Sequence, residues 1–175
     1  MRFPASFQGP RENDSTRKST VSQSEASNMS TEAGNVGRLL EQKGGNIISV
    51  KPDDGLQLVV DLLREKRIGA VVVLSESGDL EGILSERDIV RKLSETPGQV
   101  LAQNVSALMT RKVQVCSPSD SLIAVLRLMT EGRFRHMPVM DGGKLVGMVT
   151  IGDVVNFRLR ELEHEAVQLK QMIVG

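Results

Sequence analysis

From residue 36 onward the apolar positions follow one series of spacings and then follow it again. Leu56, Val59, Val60 and Leu63 recur at the three- and four-residue steps of an amphipathic helix, predicting one from Leu56 to about Lys66. Leu122, Val125, Leu126 and Met129 predict a second, to about Glu131. Each helix is followed by an apolar run, a glycine turn and another apolar run. In the first copy these are Gly69 to Leu74, Gly78-Asp79 and Leu80 to Leu84; in the second, Met137 to Met140, Asp141-Gly142-Gly143 and Leu145 to Val149. Apolar runs around such turns read as hairpins, because glycine accepts the positive φ they demand. Each hairpin runs into Ser/Thr-x-x-Asp, Ser85 to Asp88 and Thr150 to Asp153, the signature of a helix start.

Upstream of each helix the parallel continues. Val36 to Leu40 predicts a short apolar helix, echoed by Val105 to Met109. Ile47, Ile48 and Val50 predict a brief strand ending at Pro52, matched by Val113 and Val115 ending at Pro118. An offset of 66 sets Pro52 on Pro118, Leu56 on Leu122, Gly69 on Arg135 and Leu74 on Met140. Beyond the hairpin turn the offset is 65, setting Leu80 on Leu145, Gly82 on Gly147, Ser85 on Thr150 and Asp88 on Asp153. A register held this long, slipping once and in a turn, indicates an internal duplication. The predicted fold is therefore α/β (α+β): two tandem β-α-β-β-α units, residues 34–95 and 104–158, packed around a pseudo-twofold axis. Residues 1–33, rich in Ser, Thr, Asn, Gln and Glu, are expected to form a disordered tail. At the other end, Val155, Leu159, Leu162, Ala166, Leu169 and Ile173 alternate steps of four and three along an amphipathic helix over 154–174. That narrow seam is of coiled-coil type and predicts a homodimer, the helix packing on the partner chain or on the residue 36–40 helix, the alternative being packing within the chain only.

Composition narrows the function. Formal net charge is zero, with 25% charged residues, and there is no Trp, no Tyr and only four Phe. Neither a bulk nucleic-acid binder nor a base-stacking platform fits those values. Cys116 is the single cysteine and is read as a small apolar core residue; no Cys/His cluster has metal-ligand spacing, so no metal is expected. No apolar run approaches the roughly 20 residues of a membrane span. The expectation is a cytoplasmic protein, or a plastid or mitochondrial one if the Arg-containing N-terminal segment is a transit peptide. With two histidines in different elements, no nucleophile-base arrangement and no P-loop, the chain is not expected to be an enzyme.

Leu80-x-Gly-Ile-Leu-Ser-Glu-Arg-Asp88, Arg135-His-Met-Pro-Val139 and Leu145-Val-Gly-Met-Val-Thr-Ile-Gly-Asp153 together resemble the signature of a tandem cystathionine-β-synthase (CBS) domain pair, or Bateman module. The likeness covers roughly residues 36–158 and is nearest to the small stand-alone proteins of that family. It implies a regulatory sensor of AMP, ADP, ATP or NAD(H), bound in a cleft between the units and acting in trans on a regulated protein that the sequence does not name. It also implies site residues. The ribose-binding aspartate falls on Asp88 and Asp153, its neighbouring hydroxyl on Ser85 and Thr150. The adenine surroundings match Ile48, Ile68 and Gly69 in the first unit and Val113, Phe134 and Met148 in the second. Phosphate contacts match Arg135 and His136, with Arg133 and Arg87 nearby.

A carboxylate accepts two hydrogen bonds at once and so suits a ribose cis-diol, and a helix N-terminus keeps it ionised. Spacing alone favours capping boxes, in which hydroxyl and carboxylate satisfy the helix-end amides, whereas the duplication and the adjacent Arg-His favour ligand binding; the two roles can coexist. The repeats also differ, since Gly69-Ala70 stands where the second copy has Arg135-His136, which predicts two clefts of unequal character. Which aspartate shares a pocket with Arg135 is left open. A competing function is a ligand-independent homodimeric scaffold for protein interaction.

Overall fold

The computed structural model describes residues 34–174; the segment read as a tail lies outside them. The first repeat forms β1 (Ser49–Val50), α2 (Leu56–Lys66), β2 (Ala70–Leu74), β3 (Leu80–Ser85) and α3 (Glu86–Glu95), with α1 (Val36–Lys43) ahead of them. After a 3-10 turn at Val100–Ala102 come α4 (Val105–Leu108), α5 (Leu122–Gly132), β4 (His136–Asp141), β5 (Lys144–Thr150) and α6 (Ile151–Val174). The two hairpins match pair for pair. Val73 faces Gly82 as Val139 faces Gly147, and both ladders slip at the next residue, between Val73 and Leu74 and between Val139 and Met140. Gly142 and Gly143, both at positive φ, close the tighter second turn.

One predicted element is reduced. β1 pairs in parallel with β2, and Val72 donates its amide to the Ile48 carbonyl (3.2 Å). The repeat sets Pro138 on Val72, and proline has no amide to give to Gln114, the counterpart of Ile48. The strand expected at Val113 and Val115 therefore shrinks to a single bridge at Cys116, held by Cys116 N to Pro138 O (3.1 Å) and Met140 N to Cys116 O (2.8 Å). Cys116 is buried as expected, and burial first, with the nearby charge of Asp120, pushes its thiol up to about 12.

There are two cores, and each repeat lends its opening helix to the other's. Val36 and Leu39 of α1 join Leu122, Val125, Met129, Met137, Val139, Val149, Val154 and Phe157. Val105 and Met109, which open the second repeat, join Val50, Leu56, Val59, Leu63, Val71, Val73, Leu84 and Ile89. Backbone pairing fixes the exchange: Val36 N donates to Asp120 O (3.0 Å) and Val105 N to Asp54 O (2.9 Å). Leu40 then rests on Gly147 as Met109 rests on Gly82; a Cβ on either glycine would stand within 2.7 Å or 2.9 Å of those side chains.

The halves also meet at His136, whose ring lies so close to Gly69 that a Cβ there would sit 2.9 Å from Cε1. Burial, above all, pushes the imidazole below its ordinary 6.5; the charges of Lys43 and Arg135 add to this and Asp153 partly opposes it. As pH falls through 6.5 the unfolded chain takes up the proton first, so stability is full above that value and declines below it.

Two measurements check this packing. Leu56→Ala and Leu122→Ala, at 0% and 1% exposure, should each cost about 2–5 kcal/mol in chemical denaturation. Leu58→Ala, on the outer face of α2 and 47% exposed, should stay within about 0.5 kcal/mol. On lowering the pH from about 7.5 to about 5.5 the denaturation midpoint should fall, and His136→Gln should shrink that fall. An identical fall in the variant would show that another group controls it.

Candidate functional site

A cavity of about 370 Å³ opens between the repeats. Its walls come from both halves: Ile83 and Ser85 at the end of β3 and the first turns of α3 on one side, Thr110, Lys112, Val113, Gln114 and residues 133–136 on the other. Ser85 ends its strand in extended backbone (φ −113°), so α3 starts against the cavity and Asp88 falls in its first turn. Arg133 caps α5 in the left-handed region (φ 55°), where its amide returns to the last turn, and so turns the chain from α5 into β4. Phe134 can lie back over that helix end because residue 132 is glycine; a Cβ there would come within 2.2 Å of the ring.

The carboxylate of Asp88 is held in a capping box at the start of α3. Its Oδ2 accepts from Ser85 N (3.1 Å) and Ser85 Oγ (2.5 Å), which fixes the group at the helix start. Its Oδ1 accepts from Arg91 (3.2 Å), whose side chain is 68% exposed and free to exchange partners. Opposite lie the exposed guanidinium of Arg135, the half-buried ring of Phe134 and the His136 imidazole. Arg87 donates through Nη1 to the Arg133 carbonyl (3.1 Å), tying α3 to the α5 cap across the cleft. In a chain of zero net charge this cavity is cationic: Arg87, Arg91, Lys112, Arg133 and Arg135 line it, against Glu86 and Asp88. It can hold a neutral diol at its carboxylate, a flat apolar group against Ile83, Val113 and Phe134, and an anion at its basic rim.

Of the residues singled out in the sequence, Gly69, Ser85, Arg87, Asp88, Val113, Arg133, Phe134, Arg135 and His136 line this cavity. Arg135 thus shares its pocket with Asp88. Ile48, Ile68, Met148, Thr150 and Asp153 lie elsewhere: Ile48 and Ile68 pack against the core that holds Leu56, Val71 and Val105, and the other three sit around the start of α6. There Thr150 and Asp153 make a full capping box, Thr150 N to Asp153 Oδ2 (2.9 Å) and Asp153 N to Thr150 Oγ1 (3.0 Å). Lys43 also donates to Asp153, and to the Met148 carbonyl (3.0 Å). Burial pushes the Asp153 carboxyl up, yet the bonds from Lys43 and Thr150 outweigh it and hold the group below the usual carboxylate range.

The sequence reading missed Ile83, Glu86, Arg91, Thr110, Lys112 and Gln114 as cavity lining and Lys43 as a partner of Asp153. Arg91 was open to discovery, since it stands one helical turn beyond Asp88. Lys112 and Gln114 were marked by flanking Val113. Among the described residues no group of three or more His, Cys, Asp or Glu is placed to hold a metal ion, and no helix is long and apolar enough to cross a membrane.

The family profile described as CBS domain matches residues 42–95 and again 105–160. A 33.4 kDa protein encoded in the ribosomal RNA operon of Thermofilum pendens is 36% identical over 133 residues. The match takes in 73% of this chain but 43% of that protein, so the chain spans less than half of the relative's length. Among solved structures, a CBS-domain containing protein from Agrobacterium tumefaciens is 39% identical with a TM-score of 0.69, over 71% of this chain and 98% of that one. CBSX2 in complex with AMP is 28% identical with a TM-score of 0.60, over 73% of this chain and 97% of that one. The two profile matches fall on the two halves of the duplication, and the chain belongs to the CBS-domain family as a tandem pair.

Proposed function

We propose that the protein is a regulatory sensor of adenosine nucleotides, AMP, ADP, ATP or NAD(H), which binds them in the cavity between the repeats and acts in trans on a partner protein. The observation that carries this reading is the meeting of Asp88 and Ser85 from one repeat with Arg133, Phe134, Arg135 and His136 from the other in a single cationic cavity. Its volume, about 370 Å³, is within the roughly 300–1,000 Å³ of small-molecule sites. The AMP bound by the related CBSX2 supports the same ligand class.

In this reading Asp88 accepts the ribose hydroxyls, Val113, Ile83 and Phe134 flank the base, and Arg133, Arg135 and His136 face the phosphate. A ligand that bridges the two repeats favours the arrangement in which they meet, which is how occupancy becomes a signal. The outer seam of α6 is proposed as the dimer contact: Leu159 and Leu162 are 52% and 47% exposed on the single chain, at coiled-coil spacing.

Ligand at about 100 times its Kd should add about 2.7 kcal/mol to stability and raise the melting temperature measurably. Asp88→Ala should remove most of that shift. Arg135→Ala should weaken AMP by about 10-fold or more while leaving adenosine little changed. If AMP, ADP, ATP, NAD and NADH all fail to bind at about millimolar concentration, the sensor reading is wrong. Sedimentation equilibrium should give twice the 19.1 kDa chain mass, and Leu159→Glu with Leu162→Glu should return it to a single chain; a monomer before substitution would contradict the dimer.

A further inference from the structure

The two Ser/Thr-x-x-Asp sites, equivalent in sequence, are not equivalent in what reaches them. Between its opening helix and its proline the first repeat is three residues longer than the second, Val36 to Pro52 against Val105 to Pro118. α4 stops at Leu108, and the backbone then pairs with β3: Thr110 N donates to the Ile83 carbonyl (2.9 Å) and Ile83 N to the Thr110 carbonyl (3.1 Å). α1 continues for a further turn to Lys43, and Gly44 at φ 84° then takes the chain away. The counterpart of the Ile83 carbonyl is that of Met148, and here the acceptor is met by the Lys43 ammonium (3.0 Å) instead of a backbone amide. The same ammonium is bonded to Asp153, the counterpart of Asp88.

Lys43 is not a loosely placed surface cation. Its helix is fixed by Val36 and Leu39, at 0% and 2% exposure, and by Leu40 on Gly147, one turn before the lysine. The ion pair is itself partly buried, with side-chain exposures of 36% for Lys43 and 25% for Asp153. Among the described residues no cation from the other repeat bonds to Asp88, which is held within its own strand end and helix by Ser85 and by an ion pair with the exposed Arg91. The second site also has a reduced basic rim, with Gly69 and Ala70 where the first has Arg135 and His136, although Arg67 stands where the first has Arg133.

We infer that Lys43, anchored on the Met148 carbonyl, closes the second cleft from within the chain by holding Asp153, the counterpart of the ribose-binding Asp88, so that each chain takes one nucleotide, at Asp88, until Lys43 is displaced. This rests on the nucleotide reading of the cavity and adds its stoichiometry and gate. A ribose is neutral; to reach Asp153 it must replace an ion pair by neutral hydrogen bonds and leave the ammonium without its partner. Any ligand that succeeds frees the Lys43 side chain at the C-terminal end of α1, where the chain turns off at Gly44 toward β1.

Calorimetric titration of the full chain with AMP and with ATP tests the closure. The unaltered protein should bind one nucleotide per chain, and Asp88→Ala should abolish it. Lys43→Met keeps the aliphatic stem and removes the charge; it should bind two, the new site tightening by at least about 10-fold. That second site should survive Asp88→Ala and vanish with Asp153→Ala, while Lys43→Arg should remain at one. Lys43→Gln gives the same test if the Met variant folds poorly by circular dichroism. Two nucleotides on the unaltered chain, or one on both Lys43→Met and Lys43→Gln, would overturn the closure and leave the sensor reading intact. No nucleotide on the unaltered chain or on either lysine variant would overturn both.

Discussion

Val36 and Leu39 are buried in a core otherwise built from residues 116–157, while Val105 and Met109 are buried in a core otherwise built from residues 50–100. This exchange of opening helices is the constraint on which the remaining geometry depends. Neither repeat covers its own apolar surface, so the halves must fold against each other, and the segment following each borrowed helix is delivered to the other half's Ser/Thr-x-x-Asp. That is why a cavity can take Asp88 from one copy and Lys112, Arg133 and Arg135 from the other.

The same exchange makes the pseudo-symmetry productive where it fails. Three additional residues after Val36 suffice to extend α1 by a turn and replace a backbone bridge by a lysine side chain. On the opposite face the shorter connection leaves Thr110, Lys112, Val113 and Gln114 lining an open cavity. Duplication supplied two carboxylates at two helix starts; the differences between the copies assign one to a cationic cavity and the other to an ion pair with a lysine of the opposite repeat. His136 belongs to the boundary between these environments, lining the first cavity while its proton affinity responds to Lys43 and Asp153 of the second.

Much of this was legible in the chain. The hairpins and the long helices followed from periodicity and glycine turns, since each element's apolar face had to be buried and the repeat marked every position twice. The family likeness pointed to Asp88, Arg135 and His136, which do line one cavity. What escaped reading depends on partners distant in sequence. The strand at Val113 was lost because Pro138, across the sheet, has no amide to offer. The pairing of Asp88 with Arg135 needed the helix exchange, which no local pattern announces. Lys43 reads locally as a cation at a helix C-terminus, a favourable and ordinary place for one, and its bond to Asp153 spans 110 residues.

A crystal structure of the full chain grown with AMP is the most direct test. The predicted result is one nucleotide per chain, its ribose on Asp88 and its phosphate toward Arg133, Arg135 and His136, with Lys43 still on Asp153. A nucleotide seated on Asp153 with the Asp88 cavity empty would contradict both the site and its gate.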